Sequence, residues 1–132
     1  MIQLGESTWN LNVLVEAVLS GAEIAARLQE LVKFIGMDTA GMPPTINTYP
    51  LWPEDRGGEG QTIYQPFVEP ATVMQPLTTS YIIADAWPEL GHIDIMLKSC
   101  RRFSVHAVLS MVSRLFGPLL NFHDFRMGRV VR

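Results

Sequence analysis

The stretch that most restricts what this chain can fold into is Ser80–Cys100, SYIIADAWPELGHIDIMLKSC. Two strand-like runs, Thr79–Ala86 and His92–Ser99, bracket the segment Trp87-Pro88-Glu89-Leu90-Gly91. Pro88 fixes φ early in this turn, and Gly91 admits the left-handed backbone that a return strand needs. In the second arm Ile93, Ile95 and Leu97 alternate with His92, Asp94, Met96 and Lys98. A clean period of two marks a strand with one greasy and one polar face, as in an antiparallel sheet covered on one side. The hairpin also gathers a hydroxyl (Ser80), two carboxylates (Asp85, Glu89), an indole (Trp87) and the only thiol (Cys100), which makes it the candidate ligand site.

The flanking chain supplies the other layers. Leu11–Val18 reads as a first strand. Ser20 with Glu23 three residues on forms a capping box, and Ile24, Leu28, Leu31, Val32 and Ile35 follow at helical spacing until Gly36 ends the helix. Residues 37–61 hold four of the nine prolines and four of the ten glycines, so most of this stretch reads as an inserted loop, with Thr45–Leu51 as an edge strand. Thr62–Val68 reads as a strand interrupted by Pro66, and Val73–Leu77 leads into the hairpin. Ser104 caps a second helix with a stripe of Val105, Val108, Leu109, Val112, Leu115 and Phe116, stopped by Gly117-Pro118, and Leu119–Met127 is the last strand. The order predicts one α+β domain over residues 1–132: an antiparallel sheet with two helices packed on one face.

Composition narrows the function. With 48% apolar and 17% charged residues and a net charge of −3, the chain lacks the basic surplus of a protein that binds nucleic acid through phosphates. One cysteine builds no intrachain disulfide, and three scattered histidines make a poor zinc set, so no metal is expected. The N-terminus is not basic and precedes no signal-like apolar region, and no apolar run approaches a membrane span. The expectation is a cytoplasmic protein with no membrane or nucleic-acid partner. The modest charge and the apolar surplus also predict a homo-oligomer, with a trimer favoured over a dimer and sites at the subunit borders.

With these elements in order, the hairpin resembles the small prokaryotic S-adenosylmethionine decarboxylases. In that family a Glu-Ser-His segment leads through a short strand into a His-Thr-Trp-Pro-Glu turn, and a second strand ends at Thr-Cys. The equivalents here are Thr79-Ser80-Tyr81, Asp85-Ala86-Trp87-Pro88-Glu89 and Ser99-Cys100, with the same separation of twenty residues between serine and cysteine. The family's upstream serine segment falls on Pro70-Ala71-Thr72-Val73-Met74. The resemblance covers most of the chain apart from the insertion at about residues 38–61.

The departures fall on the residues that, in the family, make a pyruvoyl group by cleaving the backbone before the serine. Thr79 replaces the glutamate, Tyr81 the histidine after the serine, and Asp85 the processing histidine. The resemblance therefore implies a scaffold without its pyruvoyl cofactor, and without that electron sink decarboxylation has no route. What it leaves is a nucleoside pocket. By analogy Glu89 meets the ribose hydroxyls and Phe67 or Tyr64 stacks on adenine, with Thr72, Ser80, Tyr81, Asp85, Trp87 and Cys100 as further substrate-binding candidates.

S-Adenosylmethionine carries its own nucleophile and leaving group, so a pocket that folds its methionyl tail could close homoserine lactone and expel methylthioadenosine. This is similar to the small phage-encoded S-adenosylmethionine lyases, which act in the host cytoplasm against methylation and restriction. Glu69, Tyr64 and Tyr81 are the candidates to face the sulfonium, with Glu69 and Tyr64 as the positioning pair. Two alternatives stand beside the lyase: a pyruvoyl-dependent decarboxylase, if Thr79–Ser80 still cleaves, and a non-enzymatic nucleoside sensor. Plainer readings also exist: Cys100 as a buried strand-end thiol, Asp85 as an ion-pair partner of Arg101 or Arg126, and the histidines as face residues of strands and a helix.

Overall fold

The computed structural model describes residues 3–49 and 68–131. In chain order the elements are β1 (Gln3–Glu16), α1 (Gly21–Phe34), β2 (Thr45–Thr48), β3 (Ala71–Pro76), β4 (Tyr81–Trp87), β5 (His92–Ser99), α2 (Val105–Leu115) and β6 (Leu119–Val131). The strands form one antiparallel sheet in the order β2-β3-β4-β5-β1-β6. The α+β architecture expected from the element order is the one observed.

One face of the sheet and the two helices enclose the core. Leu11, Val13 and Val15 of β1, Val73 of β3, Ile82 and Ala84 of β4, and Ile93, Ile95 and Leu97 of β5 are all buried against Ile24, Leu28, Leu31 and Val32 of α1 and Val108 and Val112 of α2. Each large aliphatic side chain removed from water here contributes about 1.5–3 kcal/mol. The capping box at the start of α1 is present in full: Ser20 accepts from the Glu23 N–H, and the Glu23 carboxylate accepts from the Ser20 N–H. Gly36 follows that helix at φ 71°, the left-handed conformation expected of a helix stop. Ser104 caps α2 through the Ala107 N–H. Arg27 of α1 donates to the Leu115 carbonyl at the end of α2 and so joins the two helices.

Several boundaries differ from expectation, each for a reason that lies in pairing. β1 begins at Gln3 rather than Leu11, because its polar first half is held by β6 rather than by an apolar stripe of its own. β6 continues to Val131 on the same pairing. β4 begins at Tyr81, since Leu77-Thr78-Thr79-Ser80 is a tight turn closed by the Leu77 N–H on the Ser80 carbonyl, 2.9 Å. β2 is limited to Thr45–Thr48. Most of the segment read as a strand over 62–68, and part of the insertion, lie outside the described residues.

Candidate functional site

The face of the sheet directed away from the two helices carries the polar residues of the hairpin. In an antiparallel ladder, residues directly opposite share a face. The pairs Trp87↔His92, Asp85↔Asp94, Ile83↔Met96 and Tyr81↔Lys98 therefore form four rows across β4 and β5. The rows continue into β3, where Asp85 opposes Thr72 and Ile83 opposes Met74, and into β1, where His92 opposes Glu16.

The expected site residues separate into two groups at opposite ends of this face. At the turn end stand Asp85, Trp87 and Glu89. Glu69 leads into β3 at the same end, because Ala71 pairs with Ala86. Thr72 joins them: its hydroxyl donates to Asp85 Oδ1 at 2.7 Å and accepts from the Tyr49 hydroxyl at 3.1 Å. Asp85 is thus a hydrogen-bond acceptor on the open face and not the ion-pair partner of Arg101 that the sequence allowed. Trp87 is 46% exposed, and Glu89 and Glu69 are exposed. The Asp94 carboxyl is raised above its ordinary value, first by partial desolvation and then by the Asp85 carboxylate opposite, with His92 acting the other way. Glu16, Asp85 and Asp94 thus lie in the rows at the Trp87 end of the sheet, with exposed Glu69 and Glu89 in the adjoining chain, and this surplus of carboxylates favours a cation.

The second group lies at the far end of β4. Ser80 accepts from the Cys100 N–H at 2.9 Å, and Cys100 Sγ lies 3.2 Å from the Thr79 carbonyl oxygen as its donor. Cys100 is exposed, which corrects the reading of it as a buried strand-end thiol. Tyr81 carries the Lys98 ammonium over its ring at 5.7 Å. A cavity of about 250 Å³ opens beside Ser80, lined by Asp38, Leu77, Thr79, Ser99 and Arg101 among others. From Ser80 to Asp85 is five strand residues, roughly 17 Å, and to Trp87 roughly 20 Å or more. One chain therefore does not bring Ser80 and Cys100 together with Asp85, Trp87 and Glu89.

Tyr64 and Phe67, the expected aromatic partners, lie outside the described residues. Sequence reasoning missed Tyr49 and Asp94. Asp94 was within reach of it, because closing the hairpin at Trp87 and His92 sets Asp85 opposite Asp94. Tyr49 was not, because its link to Thr72 depends on β2 pairing with β3. Among the described residues no group of three or more His, Cys, Asp and Glu side chains is placed to hold a metal ion.

No protein-family profile and no curated protein matches the sequence. Among solved structures, the chain is similar to the crystal structure of the adenosylmethionine decarboxylase from Aquifex aeolicus VF5, with a TM-score of 0.59 and 14% identity over 98% of this chain and 95% of that one. The polypeptide of this protein thus takes an adenosylmethionine decarboxylase-like fold.

Proposed function

We propose that this protein is an S-adenosylmethionine-degrading lyase that uses the decarboxylase-like scaffold without a pyruvoyl group. The observation that carries the reading is the replacement of the self-processing residues on an otherwise similar fold. Thr79 stands before Ser80 in place of a glutamate, and Asp85 stands in place of the processing histidine. Asp85 is already engaged by Thr72 and sits roughly 17 Å along the strand from Ser80 in the same chain.

In the proposed reaction a substrate carboxylate oxygen attacks Cγ, the Cγ–S bond breaks, and its electron pair goes to sulfur. The products are neutral methylthioadenosine and homoserine lactone, and no proton changes hands. The protein then has to hold the tail folded over its own sulfonium and exclude water. The acidic turn end suits this substrate. Glu89 takes the ribose hydroxyls and Trp87 offers an aromatic face. Glu69, with Asp85 and Asp94, balances the sulfonium charge. Tyr64 and Phe67 keep their proposed stacking and positioning roles.

The site is completed at the border between copies of the chain. The open face exposes Met74 and Met96 between its two polar ends, and stacking two such faces can set the Ser80–Cys100 end of one copy over the acidic end of another.

The test is incubation of the purified chain with S-adenosylmethionine. Methylthioadenosine and homoserine lactone without carbon dioxide are expected; carbon dioxide release, or binding without turnover, sinks the lyase. One contact favours a second reading. The Cys100 thiol lies on the Thr79 carbonyl, the group that Ser80 would attack in self-cleavage. Two fragments divided between Thr79 and Ser80 in an intact-mass measurement would establish the self-cleavage that the decarboxylase route requires.

A further inference from the structure

The two edges of the sheet differ sharply. β2, at one edge, is four residues long. β6, at the other, is thirteen residues long and pairs with β1 alone among the described residues. Short edge strands resist further pairing, whereas a long apolar one offers a row of N–H and C=O groups to another strand. The described side chains of β6 are exposed on both faces of the sheet, including Leu120 (53%), Phe122 (49%) and Met127 (57%). Its first nine residues, Leu119–Met127, contain no proline and only one acid and one arginine to discourage pairing.

We propose that β6 is an isologous interaction surface on which a second copy of this chain adds its own β6 antiparallel, with the two-fold axis through Phe125. The pleat narrows the choice of register. Asp124 and Arg126 oppose Leu11 and Trp9 of β1 and so lie on the helix side; Phe125 opposes Asn10 and lies on the open side. When the helices of both copies lie on the same side, opposed residues must share a face, so paired residue numbers add to an even sum. A sum of 248 places Asp124 against the partner's Asp124, and a sum of 252 places Arg126 against the partner's Arg126. A sum of 250 places Asp124 against the partner's Arg126 twice over, sets Phe125 against the partner's Phe125, and seats His123 against the partner's Met127. Directly opposed side chains have Cβ atoms about 5 Å apart, within reach of an Asp–Arg pair. The Arg126 guanidinium lies over the Trp9 ring at 5.2 Å, and His123 stacks on Phe125 with ring centroids 5.3 Å apart. The pairing extends the sheet across the axis through its edge and does not use the face directed away from the helices, so it is independent of the lyase reading.

The test is the solution mass of the full chain by sedimentation at micromolar concentration, for the wild type, Asp124→Arg, Arg126→Asp and the double reversal. Wild type is expected as a dimer or a multiple of two. Each single reversal sets like charges opposite one another at two places and weakens association at least about tenfold, and the double reversal restores most of it. Far-UV circular dichroism of each variant separates loss of pairing from loss of fold. A second measurement fixes the register independently of charge: in a Cys100→Ser background, Phe125→Cys is expected to crosslink to the partner's residue 125 under mild oxidation, and Phe122→Cys is not. A wild-type monomer, as when the chain covers its own edge, overturns the proposal. So does a trimer, or a dimer indifferent to the reversals.

Discussion

Asp85 and Asp94 face one another across the β4–β5 hairpin, and the two carboxylates are treated differently by their surroundings. Asp85 accepts the Thr72 hydroxyl at 2.7 Å, whereas Asp94 is raised above its ordinary value by partial desolvation and by Asp85 itself. Like charges directly opposed on a sheet destabilise it, so the pair costs stability where both are ionised. Under the proposed function that cost serves the sulfonium of the substrate.

The first prediction concerns that cost. A carboxyl whose folded-state value is raised binds more protons folded than unfolded, so its stabilising contribution is present below the unfolded value and is lost as pH rises through the folded one. Asp94→Asn removes this dependence. The variant is expected to melt above wild type at neutral pH, with the two curves converging below about pH 4, where the carboxyl is protonated in both states. A variant that melts below wild type at neutral pH contradicts the assignment.

How much of this was legible in the sequence depends on whether the signal was local. Ser20, Glu23 and Ser104 announce their helix starts through side chains that reach only three residues. The alternation in His92–Ser99 gives β5 to the residue. The polar first half of β1 was illegible, because Ser7 and Thr8 are strand residues only through pairing with Gly128 and Met127, more than a hundred positions away. The site was legible as residue types and less so as geometry. Asp85, Trp87 and Glu89 were identified together with Ser80 and Cys100, yet the intervening strand length already meant that one chain could not bring them into one pocket. The Tyr49–Thr72–Asp85 chain of hydrogen bonds needed three strands in register, which no spacing in the sequence reveals.

The proposed substrate site makes the second prediction. Asp85→Asn keeps an oxygen for Thr72 but removes the charge, and Glu89→Gln weakens the grip on a diol. Each is expected to weaken S-adenosylmethionine binding about tenfold by calorimetry. Binding of methylthioadenosine, which lacks the sulfonium, should suffer from Glu89→Gln and be nearly indifferent to Asp85→Asn. Equal losses for both ligands in the Asp85 variant would remove the charge argument.

A third prediction isolates the capping box of α1. Ser20→Ala leaves the Glu23 N–H without its side-chain acceptor, and Glu23, whose carboxyl is held below its ordinary value first by the Ser20 backbone N–H and then by the Ser20 hydroxyl, keeps the first and loses the second. The loss is expected to be about 1 kcal/mol in urea denaturation. Ser20→Asp, which restores an acceptor at the same place, should recover most of it.

The last prediction rests on Gly117, between α2 and β6. Its φ is 152°, and a Cβ there would lie 2.3 Å from the Glu16 carbonyl oxygen. That approach is enforced from the other side, since the Glu16 N–H donates to the Pro118 carbonyl at 2.9 Å and the neighbouring Ala17 N–H donates to Gly91 in the β4–β5 turn. Backbone contacts on both sides leave little room for relaxation, so Gly117→Ala is expected to cost about 2–4 kcal/mol by denaturant unfolding. The displacement reaches the site as well, because Glu16 shares its row with His92 and Trp87. At temperatures where the variant stays folded, S-adenosylmethionine binding should therefore weaken, while the charge-dependent dimerisation through Asp124 and Arg126 should persist. A variant as stable as wild type would mean that the end of β1 gives way freely at Glu16.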